Sequence, residues 1–390
     1  MNRISICFTI LLLFISGSLF DVKSQSIKVD PDLNEKLNSG IIIARPVIQI
    51  PVAVYESSGI AVAGPNRIWS HNDAGNTNEL FCFDTTGNLV RALLILNATN
   101  IDWEDLARDD QGRIYINDAG NNENNRTDLK IHRIPDPATI VGSVVEAETI
   151  NFIFEDQYNF PPPEPNRNFD IEAMLWKSDS LYLFTKNRSI PQNGMCKMYR
   201  LPANPGNYTA MLMGSVFLGF TDSEARVTSA DLNLETGEVI LLTSTKIVSF
   251  VNYPYNHFFE GDKTEHFFSE PIVQIEGVDF VDNERLFLIE EGSKRGGGYL
   301  YEVLWQPASS VTEIPPGGIH LFPNPFTNNL NIAKTFDGEI RFDLWDVSGN
   351  IIMQNIPAER ELTLHQLSPG IYFVRLIFNN ESQMRRIVKL

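Results

Sequence analysis

Between residues 52 and 305 the apolar positions fall in short runs rich in Val, Ile, Leu, Phe and Tyr. Gly, Asn, Asp and Pro break these runs, and almost no stretch has helical spacing. The pattern predicts an all-β region. Self-comparison shows a recurring unit, a strand that opens near a Ser or Glu followed shortly by a second strand. The copies are SSGIAVAGPNRIWSHNDAG from Ser57, WEDLARDDQGRIYINDAG from Trp103, IEAMLWKSDSLYLFTKN from Ile171, TSADLNLETGEVILLTST from Thr228 and IEGVDFVDNERLFLIEEG from Ile275. A third apolar strand follows each pair, at Leu80, Leu129, Lys197, Lys246 and Tyr299.

Stacked units of this kind are the blades of a β-propeller. Five copies predict a five-bladed β-propeller. A six-bladed ring is the alternative, because residues 141–167 have room for another blade, although the PPPEP run there reads as an exposed loop. The last copy stops one strand short, while IIIARPVIQIP at residues 41–51 precedes the first copy without a partner. If that segment is the outer strand of the last blade, the ring closes and no sheet edge is left open.

The pattern changes at QPASSVTEIPPGG, which reads as a linker over residues 306–318. Beyond it, residues 319–390 alternate apolar and polar positions in LNIAK, IRFDLWDV, NIIMQNI, ELTLHQL, GIYFVRLIF and SQMRRIVKL, which predicts a small C-terminal antiparallel β-sandwich. At the other end, Arg3, the apolar run of residues 6–20 and the small residue Ser24 read as a signal peptide over residues 1–24. The propeller is then expected over residues 25–305. No later run is long enough to predict a transmembrane segment.

A net charge of -18 over 390 residues argues against a nucleic-acid partner and in favour of bound cations. Outside the leader only Cys82 and Cys196 remain; they can form one bridge or stay two small buried side chains.

The C-terminal unit resembles a known family. PNPF from Pro323, WDVSGN from Trp345, LSPGIYFVRL from Leu367 and the terminal RIVKL are similar, in order, to the type A sorting domain of the type IX secretion system. The resemblance implies the type IX machinery as a partner, export across the outer membrane, removal of the domain, and release or anchoring at the cell surface.

Aligning the five copies on Trp69, Tyr115, Tyr182, Val239 or Ile240, and Phe287 brings Ser58, Glu104, Glu172, Ser229 and Glu276 into register. On the inner strands of a propeller these residues converge. Three carboxylates in a confined space must protonate, hydrate or bind a cation. Calcium takes six to eight oxygen ligands in loose geometry and suits this set, whereas zinc does not, because the set lacks His and Cys. Hydrated channel residues are the competing reading. The propeller also resembles the calcium-activated nucleotidase (apyrase) family. That resemblance implies five blades and a central Ca2+ held in the order Ser, Glu, Glu, Ser, Glu. A looser similarity, through HNDAG, WEDLA and NDAGNN, is to esterase-like-phytase-type propellers of unsettled activity.

The NDAGN pair begins at Asn72 and Asn117, each where a second strand ends. The rim there is expected to collect Asp73, Asp118, Lys186, Arg188, Lys246 and Glu290. Asp73 and Asp118 are the candidates to position a water, and the basic residues can hold an anion. His71 and Trp103 are candidate stacking surfaces for a flat ligand. Asn-Asp-x-Gly is equally ordinary turn chemistry. Two functions follow: a calcium-binding propeller that holds a small-molecule or protein ligand at its rim, which is preferred, or a calcium-dependent hydrolase of phosphate esters or nucleotides.

Overall fold

The structure, a computed structural model, describes residues 41–270, 272–292, 298–305, 319–322, 326, 328–334, 338–346, 349–358, 361–378 and 381–389. The expected signal peptide and linker lie outside the described residues, as do Pro323, Asn324 and Pro325 of PNPF. Among the described residues strands predominate, and no helix is long and apolar enough to cross a membrane.

Each sequence copy forms an antiparallel run whose first strand is innermost. The inner strands are Ser57–Val62, Leu106–Arg108, Ile171–Lys177, Val227–Leu232 and Ile275–Asp282. Each touches the next, and the last touches the first, so the arrangement is propeller-like. The outer strand of the last unit comes from the start of the described chain, where Ala44–Gln49 pairs antiparallel with Tyr299–Leu304. Residues 41–51 do not form a single strand, however. Ile41–Ile42 pairs parallel with Asp262–Phe268 of the fourth unit, so one short segment covers two edges. Residues 141–167 carry no additional unit. They contain Val144–Val145, which covers the first unit's edge, and Glu148–Phe154, the outer strand of the second unit. Glu148–Phe154 also pairs parallel with Gly206–Phe217, fusing the second and third units into an eight-stranded sheet.

Apolar packing explains why these strands read as runs rather than alternations. A separate core fills each cleft between successive units. In Ser180–Thr185, Leu181 and Leu183 face the second unit while Tyr182 and Phe184 face the fourth, so both faces of the strand are buried. Cys82 and Cys196 are buried, free thiols in two different cores; no bridge joins them.

The inner strands share one irregularity. Pairing slips by a residue between Ser57 and Gly59, Ile171 and Ala173, Val227 and Ser229, and Ile275 and Gly277. In the second unit Glu104 N donates to Asn117 O while Leu106 pairs with Ile116. The bulged residues are therefore Ser58, Asp105, Glu172, Thr228 and Glu276. Sequence alignment placed Glu104 and Ser229 at these positions, one residue away in the second and fourth units. Bulges re-aim side chains, and this offset decides which carboxylates meet.

The C-terminal segment forms two sheets, of three and four strands, around one core that includes Leu330, Phe342, Leu344, Val374 and Ile387, as the alternating pattern predicts.

Candidate metal centre

The centre is assembled by residues 100–104. Trp103 is fully buried among the cores of the first two units, edge-on to His71 at 5.5 Å and tilted against His132 at 6.0 Å. Its burial anchors the non-strand segment that carries its neighbours Asp102 and Glu104. Asn100 fastens this segment to the first NDAG: its Nδ2 donates to Asn72 O at 2.9 Å and Asp73 O at 2.8 Å, and its Oδ1 accepts from Trp103 N at 3.1 Å. Asp118, from the second NDAG, accepts from Asp102 N at 3.2 Å. As a result, carboxylate oxygens of Asp73, Asp102 and Glu104 lie within 4.8 Å of one another. Glu104 Oε2 also accepts from Ser58 Oγ at 3.2 Å.

Glu172 stands beside this trio and is already neutralised. Lys186 Nζ lies 2.9 Å from its Oε2 and Arg188 Nη2 2.8 Å from its Oε1, while Arg188 Nε reaches Asp170 Oδ2 at 2.6 Å. Asp73, Asp102 and Glu104 make no such ion pair among the described residues. Burial first, then the repulsion of Glu172 and Asp73, pushes Asp102 up to about 6. Burial and the same neighbours raise Glu104 well above the usual carboxylate range, and burial raises Asp73. Glu172 goes the other way: burial would raise it, but Lys186 and Arg188 outweigh that and hold it below its ordinary value. Burial pushes Glu276 up to about 8, with Lys186 opposing.

Of the five expected ligands, Ser58, Glu104, Glu172 and Glu276 gather at this end of the ring. Ser229 does not: its hydroxyl donates to Asp105 Oδ1 at 2.9 Å, within the ring of inner strands. Of the expected rim residues, Asp73, Lys186 and Arg188 are present. Asp118 is fully buried and held by Arg126 at 3.2 Å and His132 at 3.4 Å, so it orients Asp102 and has no access to a substrate water. His71 and Trp103 are sealed in and offer no face to a ligand; burial lowers His71 to about 4, leaving it neutral. Lys246 is buried against Leu218 O and Glu265, and Glu290 accepts from Tyr299 N and Tyr301 OH, so neither belongs to the cluster. Two members were not anticipated. Asp102 and Asp170 fall outside the aligned repeat positions, and the sign of them was local: three acids within residues 102–105 and an Asp two residues before Glu172.

The two NDAG segments need glycine for different reasons. Gly75 has φ +74°, a left-handed conformation that disfavours any Cβ, in open space. Gly120 packs so closely that a Cβ would collide with Glu104 Oε1 and Asp102 Cγ.

Residues 320–390 match the secretion system C-terminal sorting domain family. This tail is the address read by the type IX secretion machinery, and the protein is secreted or displayed at the cell surface. No curated protein matches the chain. Among solved structures, PorZ, a bacterial surface component of the type IX secretion system of Porphyromonas gingivalis, is 13% identical with a TM-score of 0.32, over 86% of this chain and 45% of PorZ. The chain thus spans less than half the length of that relative. The PQQ-bound aldose sugar dehydrogenase of Streptomyces coelicolor is 9% identical with a TM-score of 0.41, over 68% of this chain and 98% of the enzyme. The Malassezia sympodialis allergen Mala s 1 is 11% identical with a TM-score of 0.37, over 63% of this chain and 77% of the allergen.

Proposed function

We propose that this exported protein is a calcium-dependent binding module, a propeller-like ring of five blades whose cation is held by Asp73, Asp102 and Glu104. The observation that carries the reading is the convergence of three carboxylates, without a cationic side chain of their own, within 4.8 Å. All the donors are hard oxygens, with Ser58 beside them, and this suits calcium rather than zinc or copper. The cation joins the first unit to the second and completes the rim. Lys186 and Arg188, paired with Glu172 and Asp170, then place ammonium and guanidinium N–H donors next to it for a polar group of a ligand.

The hydrolase alternative keeps one supporting feature, the half-buried Asp73 near Lys186. It predicts turnover of ATP or p-nitrophenyl phosphate that Asp73→Asn abolishes.

The test is thermal melting of the full chain in calcium and in chelator. Stabilisation of about 2.7 kcal/mol is expected at calcium one hundred times Kd, lost in Asp102→Asn. Identical melting in calcium and chelator would overturn the proposal.

A further inference from the structure

In a two-sheet sandwich each sheet needs apolar side chains only on the face turned toward its partner. The four-stranded sheet of the C-terminal unit departs from this. Its strands are Ile351–Ala358, Ile340–Asp346, Gly370–Phe378 and Glu381–Lys389, in that spatial order. Phe342 and Leu344, with Leu376 and Val374 opposite them, turn into the core, so the residues between them take the outer face. There Trp345 stands opposite Phe373 on one neighbouring strand and opposite Ile351 on the other, and three large apolar side chains form one row across three strands. Phe373 is 38% exposed and Ile351 54%, while Trp345 is half-buried.

The charged residues beside this row are fixed. Asp343 and Arg375, the next cross-strand pair on the same face, form an ion pair, and Arg375 Cζ lies 5.3 Å from the Trp345 ring centroid. Arg375 therefore neutralises Asp343 and steadies the indole. Arg341, one pair further along, is different. Its Nε donates to Asn355 Oδ1 at 2.6 Å and its Nη2 to Asn355 O at 2.7 Å, which holds the guanidinium in place, but it forms no ion pair among the described residues.

We propose that this outer face is the surface by which the type IX secretion machinery holds the tail, and that the machinery covers it with an apolar patch carrying a carboxylate opposite Arg341. Exposed apolar residues scattered singly are ordinary, whereas a contiguous row with two aromatic members beside a fixed arginine has the make-up of an interface core. The occupant follows from the unit that bears the row. Residues 320–390 match the sorting-domain family, and a unit that the machinery reads has to present a surface to it. Trp345 and Phe373 also lie in WDVSGN and LSPGIYFVRL, two of the segments through which the unit resembles sorting domains, although neither belongs to its core. The proposal is independent of the cation centre.

The experiment is export of the full chain by a bacterium with a working type IX system. The double variant Ile351→Thr/Phe373→Thr keeps β-forming residues on the strands and removes the row. Arg341→Gln keeps a donor for Asn355 and removes the charge. The double variant should lower the exported fraction about ten-fold, with the full chain retained in the periplasm, and Arg341→Gln should lower it several-fold. Val141→Thr, at a propeller position that is 96% exposed, should be exported like the wild type. Melting temperature and sedimentation of the purified chains should be the same for all. The proposal is overturned if either face variant is exported like the wild type, or if Val141→Thr is retained as well. It is equally overturned if the wild type is a dimer that the face variants make monomeric, which would put a second copy on the face, or if both face variants melt lower, which would put the face in contact with the rest of the chain.

Discussion

Glu104 and Asp105 are neighbours in the chain and both are buried, yet their carboxylates meet opposite surroundings. Asp105 accepts four hydrogen bonds: Leu106 N at 3.0 Å, Met174 N at 3.0 Å, Ala230 N at 3.1 Å and Ser229 Oγ at 2.9 Å. One carboxylate in the second unit thereby ties down the inner strands of the third and fourth. The device continues around the ring. Asp231 of the fourth unit accepts from Phe280 N of the fifth at 2.8 Å, and Asp279 of the fifth accepts from Val62 N of the first at 2.5 Å. Glu104, by contrast, receives the Ser58 hydroxyl and faces two further acids. Burying a carboxylate is tolerable when donors are built in around it; where acids meet acids, a proton or an external cation has to complete the site. The same residue type thus serves as structural stitching in one region and, on the proposed reading, as a ligand set in the other.

The largest effect that separates the two regions should come from Asp105→Ala. It leaves several buried amide N–H groups without acceptors at roughly 1–3 kcal/mol each, so a loss of at least about 3 kcal/mol is expected in urea unfolding, with or without calcium. A loss that calcium restores would place Asp105 with the ligands and break the distinction.

Next in size is Glu104→Gln. In chelator the variant should melt at or above the wild type, because an amide is neutral without having to take up a proton, as the Glu104 carboxylate must among its acidic neighbours. In calcium it should lack the wild-type gain of about 2.7 kcal/mol at one hundred times Kd. If Glu104→Gln destabilises the protein in chelator as much as Asp105→Ala does, Glu104 is also stitching.

The repeat itself was legible in the sequence because every unit has to bury the same two faces against its neighbours, and that requirement writes the same apolar runs five times. The chemistry was legible only where it coincided with repeat positions. Glu104 and Glu172, which stand at or beside the acidic cluster, occupy repeat positions, and Asp73 lies in the repeated NDAGN. Asp102 lies outside the repeat register and was missed. The stitching role of Asp105 depends on a one-residue bulge that no alignment of strands displays. Ser229 was misassigned for the same reason. His71, Trp103 and Asp118 show the converse error: polar and aromatic residues beside a strand end look like a ligand platform until the tertiary packing covers them.

Within the stitching, Asp231 and Asp279 differ from Asp105 because they face each other. Burial, then the Asp231 carboxylate and the hydrogen bond to it, raises Asp279 well above its ordinary value, so the pair shares a proton. Asp105 faces them from the ring, and Arg108, Asp109, Glu235 and Asp282 line the cleft on the other side. Because the folded-state value is raised, the stability this pair contributes is complete below the unfolded value of about 3.9 and declines as pH rises through the folded value. The expected slope is at most about 1.4 kcal/mol per pH unit. Asp279→Asn keeps a donor toward Asp231 and an acceptor for Val62 N, and should flatten that decline in unfolding measured from pH 5 to pH 8. An unchanged slope in the variant would mean that the proton is held elsewhere.

The smallest effect distinguishes the two NDAG glycines, which the sequence presents as equivalent. Gly75→Ala puts a Cβ on a backbone at φ +74° with nothing nearby to strike, so its cost is conformational, about 1 kcal/mol, and the same in calcium and chelator. Gly120→Ala has no such backbone penalty, but its methyl occupies the space of Glu104 Oε1 and Asp102 Cγ. The two acids can move apart in response, since neither is held by an ion pair at that point. The thermal cost in chelator should therefore be modest, while the calcium-dependent rise in melting temperature should largely disappear. If Gly75→Ala removed the calcium response and Gly120→Ala spared it, the cation would sit on the Asp73 turn alone, and the joining of the first two units through a shared ion would have to be abandoned.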